Sequence, residues 1–354
     1  MGLPPGLRVV SNPPNPWHST AVEYLGDAEP PLARLRIIED ATRSILAQNS
    51  SPDLPFRWSL NPYRGCYHAC AYCYARPQHE YLGLGAGTDF ERTLVVKPHA
   101  AELLVEAFER PSWRGEFILF SGDTDCYQPL EASYGLTRAC LAVCARYANP
   151  CGVITKSPLI ERDLDLLVEL SKRTRFHATI SIPLFDPDKA RALEPYVASP
   201  ARRLRTIERL ASAGLDVGVS IAPMIPGLGD EDIAKIMRAA RAAGARRACL
   251  VFVRLPGPVA GLFEERLRAA LPLRADKVLS AIRAARDGKL NQSRFGERMR
   301  GSGHVAGAAH ALFEAEARRL GFEISGSRDE LPTTFTRPNA VSPSPRSRRQ
   351  LTLF

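Results

Sequence analysis

Long apolar runs are missing from this chain of 354 residues. No stretch approaches about 18 consecutive apolar residues, so no membrane span is expected. A basic leader followed by an apolar stretch is also missing from Met1-Gly2-Leu3-Pro4-Pro5-Gly6. No secretion signal is therefore expected, and the expected location is the cytoplasm. Excess negative charge is absent too, since the formal net charge is +9. A positive balance favours polyanionic partners through counterion release, although a solvated arginine-rich surface would give the same count. Much of it falls late, in Arg294 to Arg300 and in Arg346, Arg348 and Arg349. Apolar content of 45% and charged content of 24% are those of a globular protein with one large or two ordinary domains. Eight cysteines are present, and without a leader they read as thiols rather than disulfides.

Short apolar runs alternate with helical patterns over 57–286. Strands are expected at 57–60, 117–120, 152–155, 178–182, 217–221 and 250–253. Helices are expected at 99–109, 131–147, 160–172, 201–213 and 231–243. Such alternation implies an α/β fold with a parallel sheet and right-handed crossovers, and about six units are too few for a closed eightfold barrel. Residues 1–54 read as an N-terminal arm, with one helical patch at 35–46 carrying Ile37, Ile38, Ala41, Ile45 and Leu46. Residues 55–290 form the core, and 291–324 a helical extension with a basic loop and a helix at 305–321. The Pro-, Ser- and Arg-rich segment 325–354 is expected to be a disordered tail.

The most constraining words are Asn61-Pro62-Tyr63-Arg64-Gly65-Cys66 and Ala69-Cys70-Ala71-Tyr72-Cys73-Tyr74-Ala75-Arg76-Pro77. Cys66, Cys70 and Cys73 are spaced C-x3-C-x2-C. Three thiolates this close can hold three irons of a four-iron cluster and leave the fourth open for chemistry. The competing assignment is zinc, with His68 or His79 as fourth ligand.

The run resembles the radical S-adenosylmethionine (SAM) superfamily, including the aromatic Tyr72 before the third cysteine. The flanking words look like the bacterial group similar to spore photoproduct lyase. The resemblance covers roughly 55–321. It implies a partial (β/α)6 TIM-type barrel, a [4Fe-4S] cluster and SAM. In that chemistry an electron from the cluster cleaves SAM to methionine and a 5′-deoxyadenosyl radical, which abstracts hydrogen from substrate. An external donor such as flavodoxin or ferredoxin is implied as well.

Chemistry in such barrels collects at the C-terminal strand ends. Strand two ends in Ser121-Gly122-Asp123, where the family holds the SAM amino group, although its usual Gly-Gly-Glu is absent. Lys156 after strand three is placed to bind the SAM carboxylate. By resemblance, Ser181 after strand four would touch the ribose. The turn 222–228 would flank the adenine. Arg254 after strand six suits a carboxylate or phosphate. Cys126, Tyr72 and Tyr74 are candidates to donate or relay a hydrogen atom. Cys140 and Cys144 read as a core stripe, and Cys151 and Cys249 as small buried hydrophobes.

The chain closes with Gln350-Leu351-Thr352-Leu353-Phe354, which resembles the peptide by which bacterial repair proteins dock on the β sliding clamp. Together these features favour a radical SAM enzyme acting on DNA as a repair-type lyase or base modifier. The basic segment Arg294 to Arg300 would be a candidate phosphate contact. A radical SAM enzyme of RNA, peptide or metabolite, and a non-catalytic iron-sulfur DNA-binding protein, are the alternatives.

Overall fold

A computed structural model describes residues 7–10, 35–324 and 332–338. Six parallel strands run in sequence order: β1 (Trp58–Leu60), β2 (Ile118–Phe120), β3 (Cys151–Thr155), β4 (Phe176–Ser181), β5 (Val217–Met224) and β6 (Arg247–Phe252). Helices return between them, which makes the open (β/α)6 arrangement expected from the alternation. Leu46–Gln48 pairs antiparallel on the outside of β1, and Glu323–Ile324 pairs parallel on the outside of β6.

Helix placement follows local chemistry. Ser199 caps Pro200–Ser212, its Oγ accepting from the Arg202 amide at 3.3 Å, with Pro200 in the first turn. Leu164–Arg173 buries Leu166, Leu167 and Leu170 along one stripe, with Asp165 in its first turn and Lys172 and Arg173 in its last. The single helix expected at 131–147 is broken into Glu131–Tyr134 and Leu136–Arg146, because Gly135 adopts φ +63°.

Strand alternation divides the barrel into two faces. Val153, Ala178, Ile180 and Val219 are fully buried under the helices. The intervening Ile154, His177, Thr179 and Cys249 face inward and keep partial exposure, so the interior is a hollow. Its floor is tight: a Cβ on Gly152 would lie 2.8 Å from the His177 ring and from Phe117, and these two rings stack 5.2 Å apart. Cys249 therefore lines the hollow, its thiol 3.2 Å from Ser220 Oγ, rather than sitting as a buried hydrophobe. The expected strand at 250–253 starts earlier, at Arg247, which turns this residue inward.

Two further expectations are corrected. The patch at 35–46 is not helical. Arg36–Asp40 is a strand paired in parallel with Thr93–Val96, in a small sheet that also holds Leu7–Val10 and Tyr63–Arg64. Ile37 and Ile38 are both buried, one on each face, as strand alternation allows. The tail is not wholly detached, since 332–338 docks across the closed end of the barrel. Phe335 packs on Phe108 and Tyr147, Thr333 donates to the Gly115 carbonyl at 2.6 Å, and Arg337 donates to the carbonyls of Phe108 and Arg110. One aromatic anchor and a few donors hold a segment whose composition reads as disordered.

Candidate active site

The cysteine loop leaves β1 through Asn61 and Pro62 and passes over the C-terminal strand ends. Gly65 (φ +74°) turns the chain where any Cβ would lie 2.8 Å from the Phe90 carbonyl and the His79 ring. The loop's own carbonyls are satisfied by one fully buried guanidinium. Arg76 donates to Ala69 O (3.1 Å), Cys70 O (2.8 and 3.1 Å), Ala86 O (3.0 Å), Gly87 O (3.1 Å) and Glu91 (2.5 Å). Arg266 adds bonds to Ala69 O (3.1 Å) and Glu91 (2.6 Å). On the opposite side, Thr124 and Gln128 both donate to Gly65 O, and the Tyr67 amide donates to Gln128. The backbone is thus pinned from two sides.

Cys66 and Cys70 are buried and Cys73 is half-buried. Burial raises the Cys70 and Cys73 thiols above their ordinary value. Burial acts the same way on Cys66, but neighbouring His68 outweighs it and the thiol is lowered. Three sequestered thiols need a positive centre to ionise together, and an all-thiol, soft donor set of this kind fits iron–sulfur ligation. Among the described residues no three His, Cys, Asp or Glu side chains are arranged around one metal ion. His79 Nε2 lies 2.8 Å from Thr93 O while its buried Nδ1 meets no partner, and His68 interacts with both Asp125 and the Cys66 thiol.

Asp125 is the hub that sequence reasoning missed. Its carboxylate accepts from the Thr155 hydroxyl (2.6 Å), the Lys156 amide (2.8 Å) and the Tyr127 amide (2.9 Å), and stands 3.4 Å from His68 Nδ1. Burial favours its neutral form, but these donors hold it at about 2. His68 is also buried, yet Cys66 and Asp125 raise it to about 10.

The residues expected at the mouth are gathered there to different degrees. Lys156 and Ser181 share the inward face with Gly152 and Thr179 by strand alternation. The Lys156 ammonium lies 5.8 Å from the Tyr72 ring centre. Burial opposes its charge, but Cys70 and Glu194 outweigh that and raise it above its ordinary value. Ser121 takes φ +78° and its Oγ accepts from the Cys126 amide. Gly122 offers its carbonyl to the Tyr74 hydroxyl at 2.5 Å. Asp123 is held by Asn61 and Gln78 and faces a cleft outside the hollow. Arg254 stacks 4.5 Å over the Tyr74 ring.

Two candidate relays are placed otherwise than expected. Cys126 is fully buried, in one apolar cluster with Leu60, Ile118 and Phe120, and burial pushes its thiol well up. It does not open on the mouth. Tyr72 is buried and its hydroxyl donates to Glu194, which pairs with Arg203, which donates to Ser181 O at 2.9 Å. This chain ties the cysteine loop to the end of β4.

The segment Arg294 to Arg300 carries less free charge than its sequence suggests. Arg298 pairs with Asp53 at 2.5 Å and Arg294 with Glu297 at 2.6 Å. Gln350, Leu351, Leu353 and Phe354 lie outside the described residues. No helix among the described residues is long and apolar enough to cross a membrane.

Comparison with known proteins agrees with this geometry. The radical SAM superfamily profile matches residues 60–240, just over half of the chain. An uncharacterised protein of Mycobacterium tuberculosis is 38% identical over 212 residues, covering 59% of this chain and 62% of that one. An uncharacterised protein of Methanocaldococcus jannaschii is 29% identical over 174 residues, covering 49% and 62%. The chain thus matches less than two thirds of the length of these relatives. Among solved structures, a C140S mutant of spore photoproduct lyase superposes with TM-score 0.60 at 16% identity, over 81% of each chain. Spore photoproduct lyase complexed with dinucleoside spore photoproduct gives 0.59 at 15%, also over 81% of each. The shared fold and the matched span place this chain in the radical SAM superfamily, whose members work with a [4Fe-4S] cluster and S-adenosylmethionine.

Proposed function

We propose that this protein is a radical SAM enzyme acting on a base in DNA, in the manner of a repair lyase. The observation that carries the radical SAM part is the loop itself. Three thiols share one short loop whose Gly65, Ala69 and Cys70 carbonyls are taken by Arg76, Thr124 and Gln128. When bound, the cluster and SAM supply one-electron reductive cleavage and hydrogen-atom abstraction, with the electron drawn from an external carrier of the flavodoxin or ferredoxin class.

The chain's own residues bind and orient. Cys66, Cys70 and Cys73 hold the cluster. Lys156, inward-facing and charged, takes the SAM carboxylate as a point charge. Ser181, on the same face one strand over, reaches the ribose, and the backbone around Ser121 and Gly122 accepts from the amino group. The end of β5 and the turn after it flank the adenine, with Ala222 and Pro223 partly exposed there and Met224, Ile225 and Leu228 packed into the core behind them. The tight floor of Phe117 and His177 closes the hollow against water from below.

The DNA part rests on the net charge of +9 and on fold likeness to a lyase solved with a dinucleoside lesion. A base in a duplex would have to be flipped out to reach the mouth. The test is anaerobic reconstitution with iron and sulfide, then an assay for 5′-deoxyadenosine with and without UV-irradiated DNA. Formation of the nucleoside, stimulated by irradiated DNA, is the expected result. Equal rates with and without any DNA would overturn the DNA assignment, and a colourless protein making none would overturn the enzyme.

A further inference from the structure

Beside the cysteine loop, on the side where the barrel is open, lies a cleft of about 460 Å³. Its walls come from the loop exit (Tyr74, Gln78), the end of β1 (Asn61), Arg64, Lys97 and the exposed Tyr81. That volume suits a nucleotide-sized ligand.

Lys97 is the unexplained residue. It directly follows Thr93–Val96, and its amide donates to Pro62 O at 3.0 Å, which fixes the backbone. The residue as a whole is only 8% exposed. Among the described residues no acceptor or carboxylate meets its ammonium, although Asp40 and Asp123 are near enough to be felt. Burial, with Arg64 beside it, pulls its pKa down to about 8, so at neutral pH it is still charged. The Nζ atom keeps some contact with solvent, and a cation so largely desolvated is normally paired, a role that an incoming anion would fill.

The rest of the cleft indicates which anion. Arg64 stands at the rim with its side chain 36% exposed, and it pairs loosely with Asp40 at 3.7 Å, a contact that an incoming phosphate would compete with. Tyr81 offers its ring at 85% exposure, while the Tyr74 ring, at 43%, already carries Arg254 4.5 Å over one face. Cations interleaved with exposed aromatic faces are the arrangement that tracks a single strand, with phosphates on the charges and bases on the rings. Asp123, with one carboxylate oxygen taken by Gln78, keeps acceptor capacity for a base amino group.

We infer that this cleft holds one phosphodiester of a single DNA strand, with Lys97 as its buried anchor and Arg64 at its rim, guiding the strand to the barrel mouth. The inference rests on the DNA reading above and names its contact.

The experiment is fluorescence anisotropy of a labelled oligothymidylate, binding to the reconstituted enzyme across a range of salt. Lys97→Met should weaken binding about tenfold and lower the salt slope by about 0.7, with melting at or above the wild-type temperature. Arg64→Gln should weaken binding about threefold. Unchanged affinity and slope in Lys97→Met overturn the inference. Should that variant fold poorly, the rim variant decides, and unchanged affinity in Arg64→Gln overturns it. Where the wild type is stimulated by DNA yet Lys97→Met binds as tightly, only this inference falls. Where the wild type binds no DNA, the inference and the DNA reading fall together.

Discussion

The Asp125 carboxylate stands 3.4 Å from Nδ1 of His68, joining the turn after β2 to the middle of the cysteine loop. Each group facing that carboxylate is a donor: the imidazole, the Thr155 hydroxyl and the amides of Tyr127 and Lys156. One side chain therefore links the His68 turn of the cysteine loop to the end of β3 and Lys156. Asp125→Asn would aim an amide NH2 at donors and leave at least one buried polar group unpaired. A cost of about 1–3 kcal/mol follows. The reconstituted variant should hold less iron and sulfide than wild type, read by metal analysis and visible absorbance. Wild-type iron content in a folded Asn variant would refute the hub role.

The buried chain Tyr72–Glu194–Arg203 makes a second distinction testable. Tyr72→Phe removes one hydrogen bond, but Glu194 keeps its ion pair, so the loss should be about 1–2 kcal/mol. SAM cleavage should persist, because the hydroxyl is engaged in structure rather than turned to the mouth. A well-folded, iron-loaded Phe variant that makes 5′-deoxyadenosine but no product would instead give Tyr72 a relay role. Arg203→Met should be far worse, about 3–5 kcal/mol, since it strands a buried carboxylate.

What could be read in the sequence, and what could not, follows from range. The six strands were legible because their outward residues, such as Val153, Ala178 and Val219, are apolar and buried in short bounded runs. The cysteine spacing is local and needed no fold. The patch at 35–46 misled because Ile37, Ile38, Ile45 and Leu46 sit at helical spacing, whereas the partners that make it a strand, Leu94 and Val95, lie far along the chain. Asp125, Arg76 and the Glu194–Arg203 pair were visible only as charges. Their meaning depends on carbonyls and thiols brought near by folding. Cys249 was read as a buried hydrophobe because its strand was expected to start three residues late.

The docked segment 332–338 predicts a sensitive glycine far from the site. Gly115 holds φ +72°, and a Cβ there would lie 2.1 Å from the Phe335 Cβ. Gly115→Ala must therefore displace Phe335 as well as strain its own backbone, at roughly 1–3 kcal/mol in total. Limited proteolysis should cut near 332–338 faster in this variant, and thermal melting should fall. Phe335→Ala should reproduce the proteolysis without the backbone strain. Unchanged cleavage in both would show that the segment does not depend on this contact.

Lys97 also predicts an alkaline signature in stability, independent of any ligand. Its folded pKa of about 8 lies below the ordinary 10.5, so the unfolded chain takes the proton first as pH falls. Above about 10.5 both states are neutral and there is no penalty. Between that value and about 8 the folded state loses ground, and below about 8 the full penalty stays constant. Of the charges nearby, Arg64 adds to the shift and Asp40 and Asp123 oppose it. The stability advantage of Lys97→Met over wild type should therefore shrink by about 2 kcal/mol between roughly pH 8 and pH 10. Urea unfolding of both proteins at those two pH values measures it. A pH-independent difference would mean that the ammonium is already paired, and the vacancy in the cleft would be gone.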